Sequence, residues 1–204
     1  MPRKIEFDRQ EALHKAMEVF WERGYEATSM QNLVESMEIN RFSIYNSFGC
    51  KRELFIETLK HYYSMVVAKE LYQLDEESAG LDTIEGMFLH MSDSVDCCDK
   101  PNGCLLLNTI NESICHEDPI IKEAGAYYQN EFRNRFARAI QRSKNRGELC
   151  EKISVEEATF LVVSFFKGFA TTAPFWKQDS LRENVKAFFR LLRKEKATFH
   201  AMIM

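Results

Sequence analysis

Apolar residues recur at intervals of three and four along most of the chain, the spacing that places side chains on one face of an α-helix. Leu33 and Met37 share one such face, and Ile44 and Phe48 share another. The 8 glycines and 4 prolines among 204 residues leave these periodic stretches mostly unbroken. The pattern therefore predicts an all-α protein.

Polar residues at the ends of these two faces predict a pair of short helices joined by a tight turn. Thr28 and Gln31 have the spacing of a capping box, so the first helix is expected to begin after Thr28. A turn at Glu38 follows, Asn40 is a favourable N-cap for the second helix, and Gly49 is suited to end it. Two helices that meet across such a turn form a helix-turn-helix motif, whose second helix enters the DNA major groove.

Further helices are predicted on both sides of this motif. Asp8 and Glu11 indicate the start of a supporting helix, and Cys50 and Glu53 indicate the start of a third one. From Cys50 the apolar pattern continues without a breaker to about Leu74. One long helix is therefore expected to link an N-terminal three-helix head to the rest of the chain.

The remaining sequence predicts a larger C-terminal helical body. Asp118 and Pro119 mark the start of a long amphipathic helix, because proline is favoured in the first turn. Ser154 is a favourable cap for the next helix, which Pro174 should end. Residues 181–192 have the pattern of a final helix.

The first quarter of the chain resembles the TetR-type transcriptional repressors. The matching residues are Ala16, Phe20, Gly24, Tyr25, Thr28, Ser29, Met37, Glu38, Ile39, Asn40, Ile44, Tyr45, Phe48, Lys51, Leu54 and Phe55. Two positions depart from the usual pattern, since Glu38 stands where the family commonly has glycine and Cys50 where it commonly has aspartate or serine. The Gly-Cys-Leu sequence at 103–105 also resembles one branch of the family's body.

The resemblance implies a repressor that binds a palindromic double-stranded DNA operator as a homodimer and is released by a small-molecule inducer. We place the functional boundary on the linking helix near Phe55, because that helix belongs to both halves of the chain. This predicts a helix-turn-helix DNA-binding domain in residues 1–55 and a helical ligand-binding and dimerisation domain in residues 56–204. The formal net charge of -4 gives no overall signal for nucleic acid. DNA binding must therefore rest on a local surface, which a dimer would duplicate.

Residues in and around the motif are candidates for DNA contacts. They are Thr28, Asn40, Arg41, Phe42, Ser43, Tyr45, Asn46 and Lys51. The resemblance favours phosphate contacts for Tyr45 and Lys51, whereas the Arg41 side chain is of a type that reads base edges. Arg3 and Lys4 form a basic arm that could touch phosphates. The alternative for each residue is a solvated surface side chain.

The last two predicted helices carry more apolar residues than one buried face requires. Those expected at a dimer interface are Phe160, Val163, Phe166, Val185, Phe188, Phe189 and Leu192. A four-helix bundle with a second copy would cover them, in the manner that the resemblance implies. The alternative is that part of this set belongs to the core of a single chain.

The resemblance also implies a ligand pocket in the helical body. Candidate lining residues are Phe88, Met91, Leu105, Asn108, Tyr127, Tyr128, Phe165, Phe169 and Trp176. Their aromatic and methionine character suits a neutral or weakly polar hydrophobic molecule. Ordinary core is the alternative for each position, and no cofactor is expected.

Signals for other classes of protein are weak. The sequence has no glycine-rich phosphate loop, zinc-protease helix or nucleophile elbow, so an enzyme is not favoured. Its cysteines and histidines lack paired metal-ligand spacing, so no metal site is expected. The chain has no secretory signal, and its most apolar run, residues 160–176, is short and interrupted. We therefore expect a cytoplasmic protein without a membrane span.

Six cysteines leave two further interpretations open. Cys50 lies at a predicted helix start beside Lys51, where positive charge and free amides favour the thiolate. Cys97, Cys98 and Cys104 flank one loop, which would allow a local disulfide. A thiol- or electrophile-sensing repressor is therefore one alternative, and a helical partner-binding protein without an inducer is another. If the cysteines act only as small hydrophobic residues, they support neither interpretation.

Overall fold

The computed structural model describes residues 7–94 and 103–194 and confirms an all-α protein. Its helices are α1 (Arg9–Ala27), α2 (Met30–Met37), α3 (Arg41–Phe48), α4 (Lys51–Tyr62), α5 (Ala68–Tyr72), α6 (Leu81–Ser94), α7 (Leu105–Ser113), α8 (Pro119–Asn145), α9 (Val155–Thr172) and α10 (Gln178–Leu192). Within the described residues, β-structure is limited to one bridge between Leu149 and Arg193.

Most of the predicted helix starts are confirmed. Asp8 caps α1 by accepting hydrogen bonds from two backbone amides of the first turn. Asn40 caps α3 through the amide of Ser43 at 2.8 Å. Ser154 and Glu157 form a capping box at the start of α9. These caps are local interactions within three residues, which is why the sequence could predict them.

The start of α2 differs from the prediction by one residue. Ser29 is the N-cap and forms the capping box with Asn32, so the predicted pair of Thr28 and Gln31 is wrong. The hydroxyl of Thr28 instead donates to the carbonyl oxygen of Gly24 at 2.6 Å, and its side chain is buried. Thr28 therefore joins the end of α1 to the start of the motif and does not cap α2.

The predicted linking segment is helical but not uniformly α-helical. After α4, residues Tyr63–Val67 form a π-helix, α5 follows, and Gln73–Asp75 form a 3₁₀ turn near the expected end at Leu74. The π-helix inserts an extra residue into the helical ladder. Hydrophobic periodicity does not reveal such an insertion, because apolar spacings of three and four residues fit both the α-helix and the π-helix.

The chain divides into two compact units. The first comprises Met1–Glu70 and Lys100–Glu131, and the second comprises Leu71–Asp99 and Phe132–Met204. Both units are therefore built from two separate stretches of the chain. The functional boundary between residues 55 and 56, placed on the linking helix, stays a prediction.

The core of the first unit holds the helix-turn-helix motif in place. Phe20 of α1 and Phe55 of α4 are fully buried, with ring centres 4.9 Å apart. Leu33 of α2 and Ile44 of α3 are also fully buried. One side of each short helix is thus fixed against α1 and α4, and the other side remains for a partner.

The core of the second unit is a cluster of phenylalanine rings. Phe88 of α6 lies 5.5 Å from Phe169 and 5.7 Å from Phe189, measured between ring centres. Phe132 and Phe166 lie 5.1 Å apart in the same unit. Large aromatic side chains contribute strongly to burial, so α6, α9 and α10 are held together largely by this cluster.

Arginines of α8 stabilise the end of the linking segment in the second unit. Asp75 forms ion pairs with Arg135 and, at 2.8 Å, with Arg138. Arg142 donates to the carbonyl oxygen of Leu74 at 2.9 Å. These contacts satisfy backbone groups that a helix end would otherwise leave free.

Within residues 7–94 and 103–194, no helix combines the length and apolar character needed to span a bilayer.

Candidate DNA-binding interface

Helix α3 presents an exposed face made of four of the predicted DNA-contacting residues. Arg41, Phe42, Tyr45 and Asn46 are all exposed, and Phe42 has 74% of its surface accessible. Their spacing of one, four and five residues places them on one side of the helix. This side therefore combines polar side chains that can donate hydrogen bonds with an exposed apolar ring.

The opposite side of α3 is held by packing and by Arg9. Phe48 is buried, and the Arg9 guanidinium lies over its ring, 4.5 Å from the ring centre. Arg9 also donates to the carbonyl oxygen of Ser47 at 3.2 Å and pairs with Glu57 at 2.7 Å. The orientation of α3 is therefore fixed by α1 and α4.

Arg41 and Tyr45 form a local pair on the exposed face. The Arg41 guanidinium lies 5.8 Å from the centre of the Tyr45 ring, and its Nη2 is 3.5 Å from the phenol oxygen. Asn40 uses its side chain to cap α3, and Ser43 is half-buried beside it. Arg41 and Tyr45 are therefore exposed polar side chains of α3 that take no part in capping the helix.

Lys51, at the start of α4, rests on an aromatic ring. Its ammonium lies 4.4 Å from the centre of the Tyr25 ring and 3.5 Å from the carbonyl oxygen of Glu26. Partial burial lowers the pKa of the Lys51 ammonium, and the carboxylates of Glu26 and Glu112 act in the opposite direction. A phosphate placed at this position would favour the charged ammonium and offset the effect of burial.

The neighbouring Arg52 is engaged differently. Its guanidinium pairs with the carboxylate of Asp118 at 3.1 Å, and this contact raises the pKa of Arg52. Asp118 also accepts a hydrogen bond from the amide of Ile120, and both interactions lower the pKa of its carboxyl. Sequence reasoning did not find this pair, because its members are 66 residues apart.

Predicted pocket residues lie in both compact units. In the first unit, Leu105 and Tyr128 are buried, whereas Asn108 and Tyr127 are exposed. In the second unit, Phe88 and Phe169 are buried within the aromatic cluster, Phe165 and Met91 are half-buried, and Trp176 is exposed. Burial raises the pKa of the Tyr128 phenol far above its ordinary value. A surface cavity of about 410 Å³ beside Arg138 and Arg142 includes none of these residues in its lining.

The predicted dimer residues separate into buried and accessible side chains. Val163, Phe166, Val185, Phe189 and Leu192 are buried within a single chain. The expectation that these five leave apolar surface on a monomer is therefore wrong, because α6, α8, α9 and α10 already cover them. Phe188 is half-buried, with its ring stacked on Phe165 at 4.1 Å between centres.

Other apolar side chains remain accessible on the same two helices. Phe160 and Leu161 of α9 are 71% and 40% exposed, and Leu191 of α10 is 75% exposed. The exposed positions of α9 continue through Ser164 and Gly168 at helical spacing. The exposed residues of this stripe, from Phe160 to Gly168, are uncharged, and the half-buried Lys167 lies beside them.

The described cysteines are all free thiols. Cys50 and Cys150 are partly accessible and Cys115 is exposed. Burial of the Cys104 thiol raises its pKa, and hydrogen bonds from the start of α7 and from Tyr62 only partly offset this effect. A raised pKa disfavours the thiolate and therefore sensor chemistry at Cys104. Cys97, Cys98 and the basic arm of Arg3 and Lys4 lie outside the described residues.

The helical fold and the exposed helix of a helix-turn-helix motif define a DNA-binding regulator. Residues 12–58 match the family model described as bacterial regulatory proteins, tetR family. Residues 80–189 match the model described as the tetracyclin repressor-like C-terminal domain. The chain belongs to the TetR family of transcriptional regulators, whose members are DNA-binding proteins and not enzymes.

Curated relatives have corresponding descriptions. The chain is 32% identical over 149 residues to the HTH-type transcriptional regulator YezE of Bacillus subtilis, a match that covers 73% of this chain and 76% of the relative. It is 37% identical over 103 residues to the HTH-type transcriptional repressor ComR of Escherichia coli, covering 50% and 49% of the two chains.

A solved structure of a regulator bound to DNA has the same fold. It is a cysteine mutant of the TetR family regulator CifR complexed with 26-base-pair double-stranded operator DNA. The TM-score is 0.79 with 27% identity, and the match covers 92% of this chain and 98% of that one.

Proposed function

We propose that the chain is a homodimeric repressor that binds a palindromic operator through α3 and releases it when a small hydrophobic molecule binds the helical body. DNA binding through α3 is supported by one observation. This helix has an exposed face made of Arg41, Phe42, Tyr45 and Asn46, and Lys51 lies at the start of the next helix. ComR is described as a repressor, and the CifR structure contains operator DNA. The description of ComR supports repression, and that of CifR supports operator binding.

The residues of this surface are expected to make different kinds of contact with DNA. Lys51 and Tyr45 bind backbone phosphates, which fixes position without reading sequence. Arg41 reaches a base edge, and Phe42 contacts a thymine methyl group in the major groove. Asn40 and Ser43 act by holding the start of α3, since the Asn40 side chain accepts from the Ser43 amide.

Two substitutions test the phosphate contacts. Lys51→Ala should weaken binding to all duplexes alike and make the dependence of log K on log salt shallower by about 1.8 for the dimer, because one cation is lost from each subunit. Tyr45→Ala should weaken binding to all duplexes alike and leave the salt slope unchanged, since the phenol is uncharged. Tyr45→Phe isolates the hydroxyl, because it keeps the ring. Unchanged affinity in folded Lys51→Ala and Tyr45→Ala would remove both residues from the interface.

Dimerisation is proposed through the accessible stripe of α9 and the outer face of α10. Phe160, Leu161 and Leu191 are the exposed apolar side chains there, and small residues at Ser164 and Gly168 would allow a close approach of two helices. A cyclic dimer uses the same patch on both subunits, and the exposed residues of this stripe are uncharged, with the half-buried Lys167 beside them. Two copies of α3 would then face two half-sites.

The inducer is proposed to be a neutral or weakly polar hydrophobic molecule. Support comes from the aromatic and methionine residues of the body, including the half-buried Phe165 and Met91 and the accessible Tyr127. Such side chains can adapt to an apolar ligand with few polar groups. Ligand and operator would then oppose each other, because coupling between two sites is reciprocal.

The inducer proposal is tested by operator release. A set of neutral aromatic and aliphatic compounds is added to the protein on a fluorescent duplex, and the anisotropy is followed. A compound that releases the DNA must also raise the melting temperature of the DNA-free protein, since it binds the folded state. Compounds that raise this temperature and leave operator affinity unchanged would argue against induced release.

A thiol-sensing repressor is a second candidate because of Cys50. This residue is the N-cap of α4, directly before Lys51, and its amide donates to Glu53 at 2.8 Å. Oxidation there would add bulk and charge beside a proposed phosphate contact. Titration of DNA binding with diamide in the wild type and in Cys50→Ser tests the idea, and oxidant-insensitive wild-type binding would end it.

A further inference from the structure

Tyr25 is the support of the proposed phosphate-binding Lys51. The Lys51 ammonium lies over its ring, and the rings of Phe55 and Phe20 have centres 4.8 Å and 6.3 Å from it. A cation over an aromatic face is attracted by the ring quadrupole, and the attraction depends on the position of the ring. The position of Tyr25 therefore determines where the Lys51 charge is held.

Two residues from a distant part of the sequence hold Tyr25 in this position. Oε2 of Glu112, near the end of α7, accepts a hydrogen bond from the Tyr25 backbone amide at 3.2 Å. The same carboxylate occupies the space where a side chain at Gly24 would begin, and Gly24 has a φ of 75°. The kink at the end of α1 is therefore stabilised by the Glu112 carboxylate, which belongs to α7.

The second residue is His116, in the turn between α7 and α8. Its ring meets the Tyr25 ring edge to face, with centres 5.4 Å apart, and its side chain is almost fully buried. Nδ1 of His116 accepts from the Asp118 amide at 3.0 Å, so the proton of the neutral ring lies on Nε2. Nε2 is 2.5 Å from Oε1 of Glu26, a close contact that is not aligned as a hydrogen bond.

We propose that Glu112 and His116 are positioning residues for operator binding, because they fix the Tyr25 ring on which the Lys51 ammonium rests. The inference depends on the proposed phosphate contact of Lys51 and deepens it. A movement of the α7–α8 turn would then shift the Lys51 charge relative to the DNA without any change in α3. This turn is consequently a point at which the protein can regulate its affinity for all sequences alike.

The experiment measures duplex affinity and its salt dependence for single and double variants. Glu112→Ala should lower affinity on the order of tenfold and reduce the salt slope of the dimer by about 1.8, as Lys51→Ala does. Glu112→Gln retains an acceptor for the Tyr25 amide and should remain close to wild type. Glu117→Ala removes an exposed carboxylate from the same turn and controls for the change in charge.

The double variant Glu112→Ala/Lys51→Ala separates positioning from general destabilisation. If Glu112 acts through Lys51, the double variant should bind no more weakly than Lys51→Ala alone. Additive losses would overturn the proposal, because they would show an effect that does not pass through Lys51. His116→Ala and His116→Phe form an independent pair, in which only the alanine variant should lose affinity.

The possible failures can be told apart. An inert Lys51→Ala would overturn the phosphate contact and, with it, this proposal. An active Lys51→Ala combined with inert Glu112→Ala and His116→Ala would overturn only the positioning role. Thermal unfolding of each variant shows which proteins are folded, and the His116 pair decides the question if Glu112→Ala does not fold.

Discussion

The Lys15 side chain is paired with the carboxylate of Glu38, the described non-glycine residue with a positive φ angle. Glu38 has φ 57° and ψ 28°, so the turn between α2 and α3 uses the left-handed conformation that glycine adopts most easily. The pair with Lys15 raises the pKa of Lys15 and lowers that of Glu38. The turn therefore keeps the geometry of a helix-turn-helix motif despite the missing glycine.

This geometry predicts an order of stability among variants of Glu38. Glu38→Gly should unfold at a higher urea concentration than the wild type, because glycine removes backbone strain and an exposed ion pair contributes little. Glu38→Ala should be the least stable, since it keeps the strain and loses the pair. A Glu38→Gly variant less stable than Glu38→Ala would contradict the left-handed conformation at this position.

Arg41 is expected to affect specificity more than overall affinity. Arg41→Ala should reduce the preference for one base pair of the operator by about 1–3 kcal/mol, the range for a good bidentate contact. Arg41→Lys should not restore this preference, because lysine lacks the planar fork. Binding measured on every single-base variant of the operator provides the check, and uniform losses would place Arg41 on a phosphate.

The proposed dimer predicts different outcomes for exposed and buried phenylalanines. Phe160→Glu should leave the monomer folded and dissociate the dimer, because Phe160 is exposed in one chain. Phe189→Ala should instead lower the free energy of unfolding by about 3–5 kcal/mol, because Phe189 is fully buried. Light scattering and urea unfolding separate the two effects, with Phe160→Leu as the control. A Phe160→Glu protein that stays dimeric would place the interface elsewhere.

Glu148 makes stability in the second unit depend on pH. Its carboxylate pairs with Arg146 at 2.7 Å and accepts from the buried Ser143 at 2.7 Å, and both contacts lower its pKa. A carboxyl whose pKa is lower in the folded state stabilises the fold above its ordinary value of 4.5. That contribution is lost as the pH falls through the pKa of the folded state.

The corresponding measurement compares the wild type with Glu148→Gln. The wild type should be more stable near neutral pH, and the difference should shrink as the pH is lowered from about 7 to about 3. Glutamine keeps an acceptor for Ser143, so the comparison isolates the charge. A stability difference that is constant with pH would contradict this role of Glu148.

Local features of the fold could be predicted from the sequence, because they depend on neighbouring residues. The caps at Asp8, Asn40 and Ser154 are formed within three residues of the chain. The choice between Thr28 and Ser29 as the cap of α2 could not be predicted in the same way. It is decided by a hydrogen bond from Thr28 to the end of α1, where Gly24 makes a kink.

Contacts between distant parts of the chain could not be predicted. Glu112 and Tyr25 are 87 residues apart, and no periodic signal connects them. Hydrophobic periodicity likewise marks Phe160 and Phe166 as equally apolar members of α9. Only the packing of neighbouring helices shows that Phe166 is buried in one chain and Phe160 is not.

Sequence reading by α3 is tested most directly by selecting duplexes from a random pool and titrating the selected site. We expect one palindromic sequence whose half-site centres are about 34 Å apart, or a multiple of that spacing. We also expect Arg41→Ala to lose discrimination, and Lys51→Ala to lose affinity and salt dependence together. Equal binding of selected and scrambled duplexes by the wild type would contradict sequence reading by α3.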